Sequence, residues 1–226
     1  MTSSKLLFRS DGVVLNALPF QDFDLILTVF SLEEGIIKLI VKGAGRSKQK
    51  RENITPLTCA EFVYSKGRSE LFRSHEISII SHHLKLRQSL GHLEAACDLL
   101  HAIQNSQMEQ TPAPMVYKLL MWSLDKIPLV PDPNQIAASF RLKLLRHDGL
   151  LLLSLHCSEC GERGHAIVKG ETFCLKHAVG GVIFSDQEFH LLGQLAFLSS
   201  LSELDTLVVT QELRKRIERL CQDCWA

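Results

Sequence analysis

The sequence predicts a multi-domain α+β protein, in which a small closed β-barrel is followed by a mainly helical domain with an inserted metal-binding module. Three observations lead to this prediction. Short segments rich in β-branched residues occupy residues 12–80, and apolar residues recur at helical spacing from residue 86 onward. Three cysteines and a histidine lie close together between residues 157 and 177.

The barrel prediction depends on five segments that are separated by turn signals such as Gly35, Gly43 and Gly67. The segments are GVVLNAL (12–18), LILTVFS (25–31), IIKLIV (36–41), CAEFVY (59–64) and ELFRSHEISII (70–80). Five short strands with one long loop predict a five-stranded oligonucleotide-binding (OB) fold barrel, and we assign it to residues 1–81. Acidic residues near the turns, including Asp22 and Asp24, are interpreted as solvated turn residues.

The helical domain is predicted over residues 82–226. Its first helix has apolar residues at helical spacing, namely Leu86, Leu90, Leu93, Cys97 and Leu100. Proline-containing segments at 110–114 and 126–134 separate this helix from two more, the last ending near Gly149. Residues 186–198 and 210–225 predict two further helices. We expect Met115 and Trp122 to pack in the helical core.

The segment CSECGERGHAIVKGETFCLKH (157–177) contains two pairs of ligand residues, Cys157-x2-Cys160 and Cys174-x2-His177. Two residues between ligands allow a tight turn to direct both side chains to one ion, and two such turns complete a tetrahedron. The sequence therefore predicts a Zn²⁺ site formed by Cys157, Cys160, Cys174 and His177, within a module of about residues 155–182.

Other interpretations of the cysteines stay open at this point. The thiols could be free and buried, or Cys221-x2-Cys224 could join Cys157 and Cys160 in place of the second pair. His156 and His165 are weaker additional ligands. Four protein ligands leave no open position for water, and neither H-E-x-x-H nor a deaminase signature occurs. We therefore expect one structural zinc ion per chain.

Basic residues are concentrated in one predicted loop, although the 25 basic and 25 acidic residues of the whole chain balance. The segment KLIVKGAGRSKQKR (38–51) has no acidic residue. A flexible basic loop on a barrel can contact nucleic-acid phosphates without reading sequence, whereas the simpler interpretation is a solvated loop. The predicted nucleic-acid contacts are Lys38, Lys42, Arg46, Lys48, Lys50 and Arg51.

Targeting and catalytic motifs are absent from the sequence. The first residues contain no apolar segment typical of a signal peptide, and no apolar run approaches the ~20 residues of a membrane span. We therefore expect a cytoplasmic protein that does not enter membranes, in which clustered cysteines are metal ligands rather than disulfides. No Walker loop, G-x-S-x-G motif or dinucleotide-binding fingerprint is present, so we expect no catalytic activity.

The order of these parts resembles that of the RecO family of bacterial recombination mediators, over essentially the full chain. The resemblance lies in G-x-V-L (12–15), TVFSLEEGIIKLIVKGAGR (28–46) and RLKLLRHDGL (141–150) followed by CSECG (157–161). It implies binding to single- and double-stranded DNA, annealing of complementary strands, and loading of RecA, together with RecR, onto DNA coated by single-strand-binding protein. This is the RecFOR pathway of DNA repair after damage. The resemblance also implies a monomer when free, associated with the nucleoid during repair.

The resemblance assigns the same zinc ligands and, among the basic residues, Lys42, Arg46, Lys48, Lys50 and Arg51 as DNA contacts. It also implies that the C-terminal tail of single-strand-binding protein docks on the helical domain. The candidates for that contact are Arg141, Lys143 and Arg146. One departure concerns the metal: many relatives have a second C-x2-C preceded by Gly-Gly, and some lack the metal. Here the fourth ligand is His177, and Gly180-Gly181 follows it.

Two other functions are compatible with the residues. A zinc-dependent nucleic-acid hydrolase would need an open metal position and a nearby carboxylate, for which Glu159 or Glu162 would have to serve. A protein-only interaction adaptor would use the barrel to bind another protein and would not bind DNA.

Overall fold

The structure, a computed structural model, describes residues 6–46, 54–67 and 71–225. The chain divides into two compact units, Met1–Leu124 and Asp125–Ala226. Within the residues that the structure describes, no helix is long and apolar enough to cross a membrane.

The first unit begins with the predicted five-stranded barrel. Its strands are β1 (Leu7–Phe20), β2 (Asp24–Ser31), β3 (Gly35–Val41), β4 (Cys59–Ser65) and β5 (Leu71–Ser81). They form a closed barrel in the order β1-β2-β3-β5-β4. The β3–β5 pair is parallel and joins Lys38–Ile40 to Leu71–Arg73, while the other pairs are antiparallel. The OB-like barrel prediction is therefore confirmed.

Apolar side chains on alternate positions of the strands fill the barrel, because successive side chains of a strand point to opposite faces. Leu27, Val29, Leu39 and Tyr64 have no solvent exposure. The Tyr64 ring stacks on the rings of Phe8 and Phe72, each at 5.9 Å between centroids. This interior fixes the strand register and leaves the turns at the rim to carry polar and charged residues.

Two helices complete the first unit, α1 (Leu90–Ser106) and α2 (Pro114–Lys126). The segment that joins them contacts the barrel, since Gln110 donates its backbone N–H to Ile36 O at 2.9 Å. Tyr117 of α2 packs against Phe30 of β2, with ring centroids 5.9 Å apart. The compact unit thus extends beyond residue 81, and the domain division predicted there stays a prediction.

The buried face of α1 coincides only in part with the apolar positions named in the sequence pattern, since Leu93 and Cys97 are half-buried. The structure buries Ala95, Ala96, Leu99, Leu100, Ala102 and Ile103, whereas Leu90 is exposed. Leu86 is buried but belongs to a 3-10 helix before α1. In α2, the prediction that Met115 packs in the core is wrong, because Met115 is exposed near the start of the helix, while Trp122 is half-buried.

Among its described residues, the second unit contains four α-helices and a small sheet. They are α3 (Asn134–His147), β6 (Ala166–Val168), β7 (Glu171–Phe173), β8 (Val182–Ile183), α4 (Asp186–Phe197), α5 (Leu201–Leu204) and α6 (Gln211–Trp225). The sheet has the order β7-β6-β8. α3 packs against α4 and α6, as in the hydrogen bond from Ser139 Oγ to Leu195 O at 2.7 Å. The mainly helical character predicted for this region, interrupted by a small cysteine-containing module, is confirmed.

Candidate metal centre and nucleic-acid interface

The four predicted metal ligands come together in the module between α3 and α4. One ligand atom from each of Cys157, Cys160, Cys174 and His177 lies within 4.8 Å of all the others. Each ligand pair is held by a tight turn: Gly161 N–H donates to Cys157 O at 3.0 Å, and His177 N–H donates to Cys174 O at 3.0 Å. Gly161 has φ +75°, a conformation that glycine adopts without strain.

The distances within the cluster fit a tetrahedral ion. The Sγ atoms of Cys160 and Cys174 are 3.7 Å apart, and His177 Nδ1 lies 3.5 Å from both Cys157 Sγ and Cys174 Sγ. Zinc bonds of about 2.3 Å to sulfur and about 2.0 Å to nitrogen give tetrahedron edges of roughly 3.8 Å for S–S and roughly 3.5 Å for S–N. The residues therefore fit Zn²⁺ in size, geometry and ligand chemistry.

The local electrostatics favour one thiolate in this cluster. Burial alone would raise the pKa of Cys157. The backbone N–H groups of Cys174, Cys160 and Glu159 and the His177 ring outweigh burial, so the pKa is lowered to about 6. At Cys160 a backbone N–H group from Glu162 lowers the pKa, but burial and the neighbouring thiols outweigh it, so the pKa is raised. Neighbouring thiols cannot all ionise without a cation between them, and a bound metal supplies that charge.

The alternative ligands are directed elsewhere. His165 Nδ1 faces Asp186 Oδ1 at 3.0 Å, and His156 Nδ1 faces Gly161 O at 3.0 Å. Cys221 and Cys224 lie on α6 outside the cluster, and burial raises the pKa of Cys221 to about 12. The arrangement thus combines the two predicted pairs and leaves out the rival cysteine pair.

The cluster has the character of a structural site. Its four protein ligands complete a tetrahedron, so an ion held by all of them has no open position for a reacting water. Cys157 and Cys174 are buried, and the small sheet β6–β8 supports the second ligand pair. Glu159 and Glu162, the carboxylates that a hydrolase would need, are both exposed.

The basic segment begins within β3, at Lys38, and continues past the end of that strand. Lys38 Nζ pairs with Glu109 Oε1 at 2.5 Å, and Lys42 Nζ pairs with Asp24 Oδ2 at 3.0 Å. The Arg46 guanidinium lies 5.2 Å from the centroid of the Phe23 ring. The remaining predicted contacts, Lys48, Lys50 and Arg51, lie outside the described residues.

Asp24 organises this part of the rim. Its Oδ1 accepts the Gly43 N–H at 2.8 Å, and this bond, together with Lys42, holds the pKa of Asp24 below its ordinary value. The interpretation of Asp24 as a solvated turn residue is therefore wrong, since only 12% of its side chain is exposed. No sequence pattern indicates this role, because the partners of Asp24 belong to a turn that follows a different strand.

The three basic candidates on the helical domain lie on α3. Arg141 Nη1 is 3.6 Å from Glu218 Oε1. Arg146 donates to Ala196 O at 2.6 Å, and its guanidinium lies 3.6 Å from the centroid of the exposed Phe197 ring. Burial and the charge of Arg146 lower the pKa of Lys143. Arg141 thus links α3 to α6, and Arg146 links α3 to α4 and places a positive charge beside an exposed aromatic ring.

A closed barrel, followed by a mainly helical unit that contains a Cys₃His cluster able to hold a metal ion, defines a class: an OB-barrel protein with a candidate metal module. Comparison with known families gives two matches that cover nearly the whole chain. Residues 4–83 match the family described as "Recombination protein O N terminal", and residues 88–225 match "Recombination protein O C terminal". The chain belongs to the RecO family of DNA repair proteins.

Individual relatives agree with this assignment. The chain is 29% identical over 199 residues to the DNA repair protein RecO of Chlamydia trachomatis, covering 85% of this chain and 82% of the relative. It is 29% identical over 185 residues to the DNA repair protein RecO of Rubrobacter xylanophilus, covering 80% of this chain and 71% of the relative.

Proposed function

We propose that this protein is a non-enzymatic mediator of DNA repair and homologous recombination. It binds single- and double-stranded DNA, anneals complementary strands and, with RecR, helps to load RecA onto DNA coated by single-strand-binding protein. The observation that carries this proposal is the family match over both parts of the chain, together with the OB-like barrel in which the basic segment begins. On this proposal the protein acts in the cytoplasm, at the nucleoid during repair, and is a monomer when free.

In the proposed function, the barrel contacts the DNA backbone through Lys38, Lys42, Arg46, Lys48, Lys50 and Arg51. Lys38 and Lys42 each have a carboxylate partner, which lowers their net contribution to a nearby phosphate. Lys48, Lys50 and Arg51, which lie outside the described residues, are proposed as further phosphate contacts. Contacts of this kind are insensitive to base sequence and weaken as salt concentration rises.

The helical unit is proposed to carry the structural zinc ion and the docking site for the tail of single-strand-binding protein. Cys157, Cys160, Cys174 and His177 would hold one Zn²⁺ per chain, which would link the two tight turns and stabilise the module. Positive charge on α3, at Arg141, Lys143 and Arg146, beside the exposed Phe197, supports docking of an acidic and apolar tail there. The closed ligand set favours this function over a metal-dependent hydrolase.

The test is annealing of two complementary oligonucleotides coated with single-strand-binding protein, followed by fluorescence, with zinc measured on the same sample. Annealing without any nucleotide cofactor, at about one zinc per chain, is the expected result. Absence of both annealing and DNA binding at low salt would overturn the proposal in favour of a protein-only adaptor. DNA cleavage that is lost in Cys174→Ala, with the fold retained, would overturn it in favour of a hydrolase.

A further inference from the structure

An exposed aromatic ring lies at one end of the barrel, in the turn Gln21–Phe23 between β1 and β2. The Phe23 side chain is 48% exposed, and the hairpin that carries it is fixed by the pairing of Phe20 with Asp24. Single exposed apolar residues are common on protein surfaces, so exposure alone assigns no role to this ring. The surroundings of the ring indicate a role, since two cationic side chains and a cavity adjoin it.

The cationic side chains come from the end of β3 and the turn that follows. The bond from Gly43 N–H to Asp24 Oδ1 (2.8 Å) and the ion pair of Lys42 with Asp24 (3.0 Å) attach this turn to the start of β2. Arg46 N–H then donates to Gly43 O at 3.2 Å, and the Arg46 guanidinium reaches the Phe23 ring. The backbone of both turns therefore holds an aromatic ring, a guanidinium and an ammonium group in one place.

An open cavity of 440 Å³ lies between these groups, lined by the turn 21–24 and by Lys42, Gly43 and Arg46. Its size falls in the range of small-ligand sites, but its lining is mainly polar and charged, apart from Phe23. An aromatic ring that offers one face, beside cations that can bind a phosphate, is the combination that proteins use for single-stranded nucleic acid. A base in a duplex is already stacked on its neighbours, so this combination favours single strands.

We infer that Phe23 is a stacking platform for one base of a single strand, with Lys42 and Arg46 holding the adjacent phosphate. In this arrangement the Arg46 guanidinium moves from the Phe23 ring to the phosphate, and the base takes its place on the ring. Asp24 is a positioning residue, because it fixes the turn that carries both cations. The inference rests on the proposed DNA binding, of which it specifies one contact and a preference between single and double strands.

The test compares equilibrium binding of the full-length protein and its variants to a fluorescent oligothymidine and to a duplex of equal length. Phe23→Ala is expected to weaken single-strand binding roughly tenfold, with duplex binding and the salt dependence unchanged. Phe23→Leu keeps apolar bulk but has no π face, so it should bind as weakly as Phe23→Ala. Phe23→Trp keeps an aromatic face and should bind the single strand as the parent protein does. The fluorescence of the introduced tryptophan should be quenched when the oligonucleotide binds.

The matched control is Leu90→Ala, which removes another exposed apolar side chain from the same unit and is expected to bind both DNAs as the parent protein does. Equal single-strand binding by the parent protein and Phe23→Ala would overturn the stacking inference and leave the proposed DNA binding intact. Equal losses of binding to single strands and to duplex DNA in Phe23→Ala would also overturn the stacking inference. If the parent protein bound neither DNA at low salt, the proposed function itself would fail. Circular dichroism confirms that each variant is folded.

Discussion

Cys157 is a residue whose environment differs from that of an ordinary buried thiol. It has 4% exposure, yet hydrogen bonds lower its pKa to about 6, whereas burial raises the pKa of Cys221 to about 12. The difference follows from the backbone N–H groups of Cys174, Cys160 and Glu159, which come from both ligand turns, and from the His177 ring. Hydrogen bonds thus stabilise the thiolate form of Cys157, and a cation bound between it, the two other thiols and the imidazole would stabilise it further.

Replacement of a cluster cysteine tests whether a metal stabilises the fold. Cys157→Ser is expected to destabilise the protein by about 3 kcal/mol or more, which corresponds to a fall in Tm of roughly 6–12 °C, because a hydroxyl is a poor zinc ligand. A chelator should lower the Tm of the parent protein to a similar value and leave Cys157→Ser unaffected. Differential scanning calorimetry measures both.

Cys224→Ser is the matched control for this prediction, since Cys224 belongs to the other C-x2-C pair and lies outside the cluster. We expect it to change stability by less than about 1 kcal/mol and to keep the response to chelator. An unchanged Tm of the parent protein, after chelation has removed all metal, would argue against a structural ion. Loss of metal in Cys224→Ser would instead favour the rival ligand pair.

At the scale of elements, a glycine fixes the contact between the barrel and the segment that joins α1 to α2. Gly35 in the β2–β3 hairpin has φ +72°, and a Cβ atom built there would collide with the backbone carbonyl of Thr111. Gly35→Ala is expected to lower the free energy of unfolding by about 2–4 kcal/mol, from backbone strain and from the collision. Urea denaturation followed by circular dichroism measures the change.

Gly43→Ala separates these two causes. Gly43 has φ +66°, but nothing lies within 4 Å of a Cβ atom built there, so only the strain of about 1–2 kcal/mol should appear. Equal losses for the two variants would show that the close approach of Thr111 contributes nothing to the cost.

The start of α4 predicts a dependence of stability on pH. Burial raises the pKa of Glu188, but the Ser185 N–H and hydroxyl groups and the Arg216 guanidinium outweigh it, so the pKa is lowered. A carboxyl whose pKa is lower in the folded state stabilises the fold above its unfolded pKa of about 4.3, and this contribution is lost as pH falls through the folded pKa. Arg216 Nη1 lies 2.6 Å from Glu188 Oε2, so α6 is linked to α4 by this charge.

Glu188→Gln should therefore lower the free energy of unfolding by about 1 kcal/mol at pH 7 and by progressively less as the pH is taken below about 4. Glutamine keeps the shape needed for capping but has no charge for Arg216. Urea denaturation at several pH values gives the difference. The control, Glu203→Gln on the exposed surface of α5, should change stability by less than about 0.5 kcal/mol at each pH. A constant loss in Glu188→Gln down to pH 3 would contradict the prediction.

At the scale of the whole molecule, the features predicted best are those that local patterns determine. All five strands of the barrel follow from β-branched segments between turns, and the two ligand pairs follow from their spacing. The start of β1 at Leu7 does not follow from a local pattern, because Leu7–Asp11 contains no β-branched residue. This part of the strand is ordered by pairing with β4. The parallel closure of β3 on β5 is likewise a long-range contact.

The phase of α1 and the role of Phe23 were also beyond prediction from local patterns. Leucine spacing indicates a helix but does not show which face packs, and in α1 small alanines share the buried face with leucine and isoleucine. Phe23 meets Arg46 only because β2 and β3 pair and Asp24 joins their ends. Such contacts depend on the tertiary fold, so a turn phenylalanine and a loop arginine carry no joint signal in the sequence.

The salt dependence of DNA binding tests the electrostatic role proposed for the basic loop. For a single strand, log K falls as log salt concentration rises, and the magnitude of this negative slope decreases by about 0.7 for each phosphate that the protein no longer neutralises. Replacement of Lys48, Lys50 and Arg51 together by alanine should therefore reduce the magnitude of the slope by about 2, with weaker binding to every sequence tested. Fluorescence anisotropy of a labelled oligonucleotide between low and moderate salt gives the slope.

A control with the same reduction in charge distinguishes a local interaction from the field of the whole protein. Lys118, Lys215 and Arg219 are exposed on α2 and α6, and their joint replacement by alanine removes three positive charges that belong neither to the barrel strands nor to the basic loop. If the basic loop neutralises the phosphates, this variant should keep the slope of the parent protein. If both triple variants reduced the slope by the same amount, net charge rather than the loop would govern binding. If neither did, the DNA would have to bind on another face.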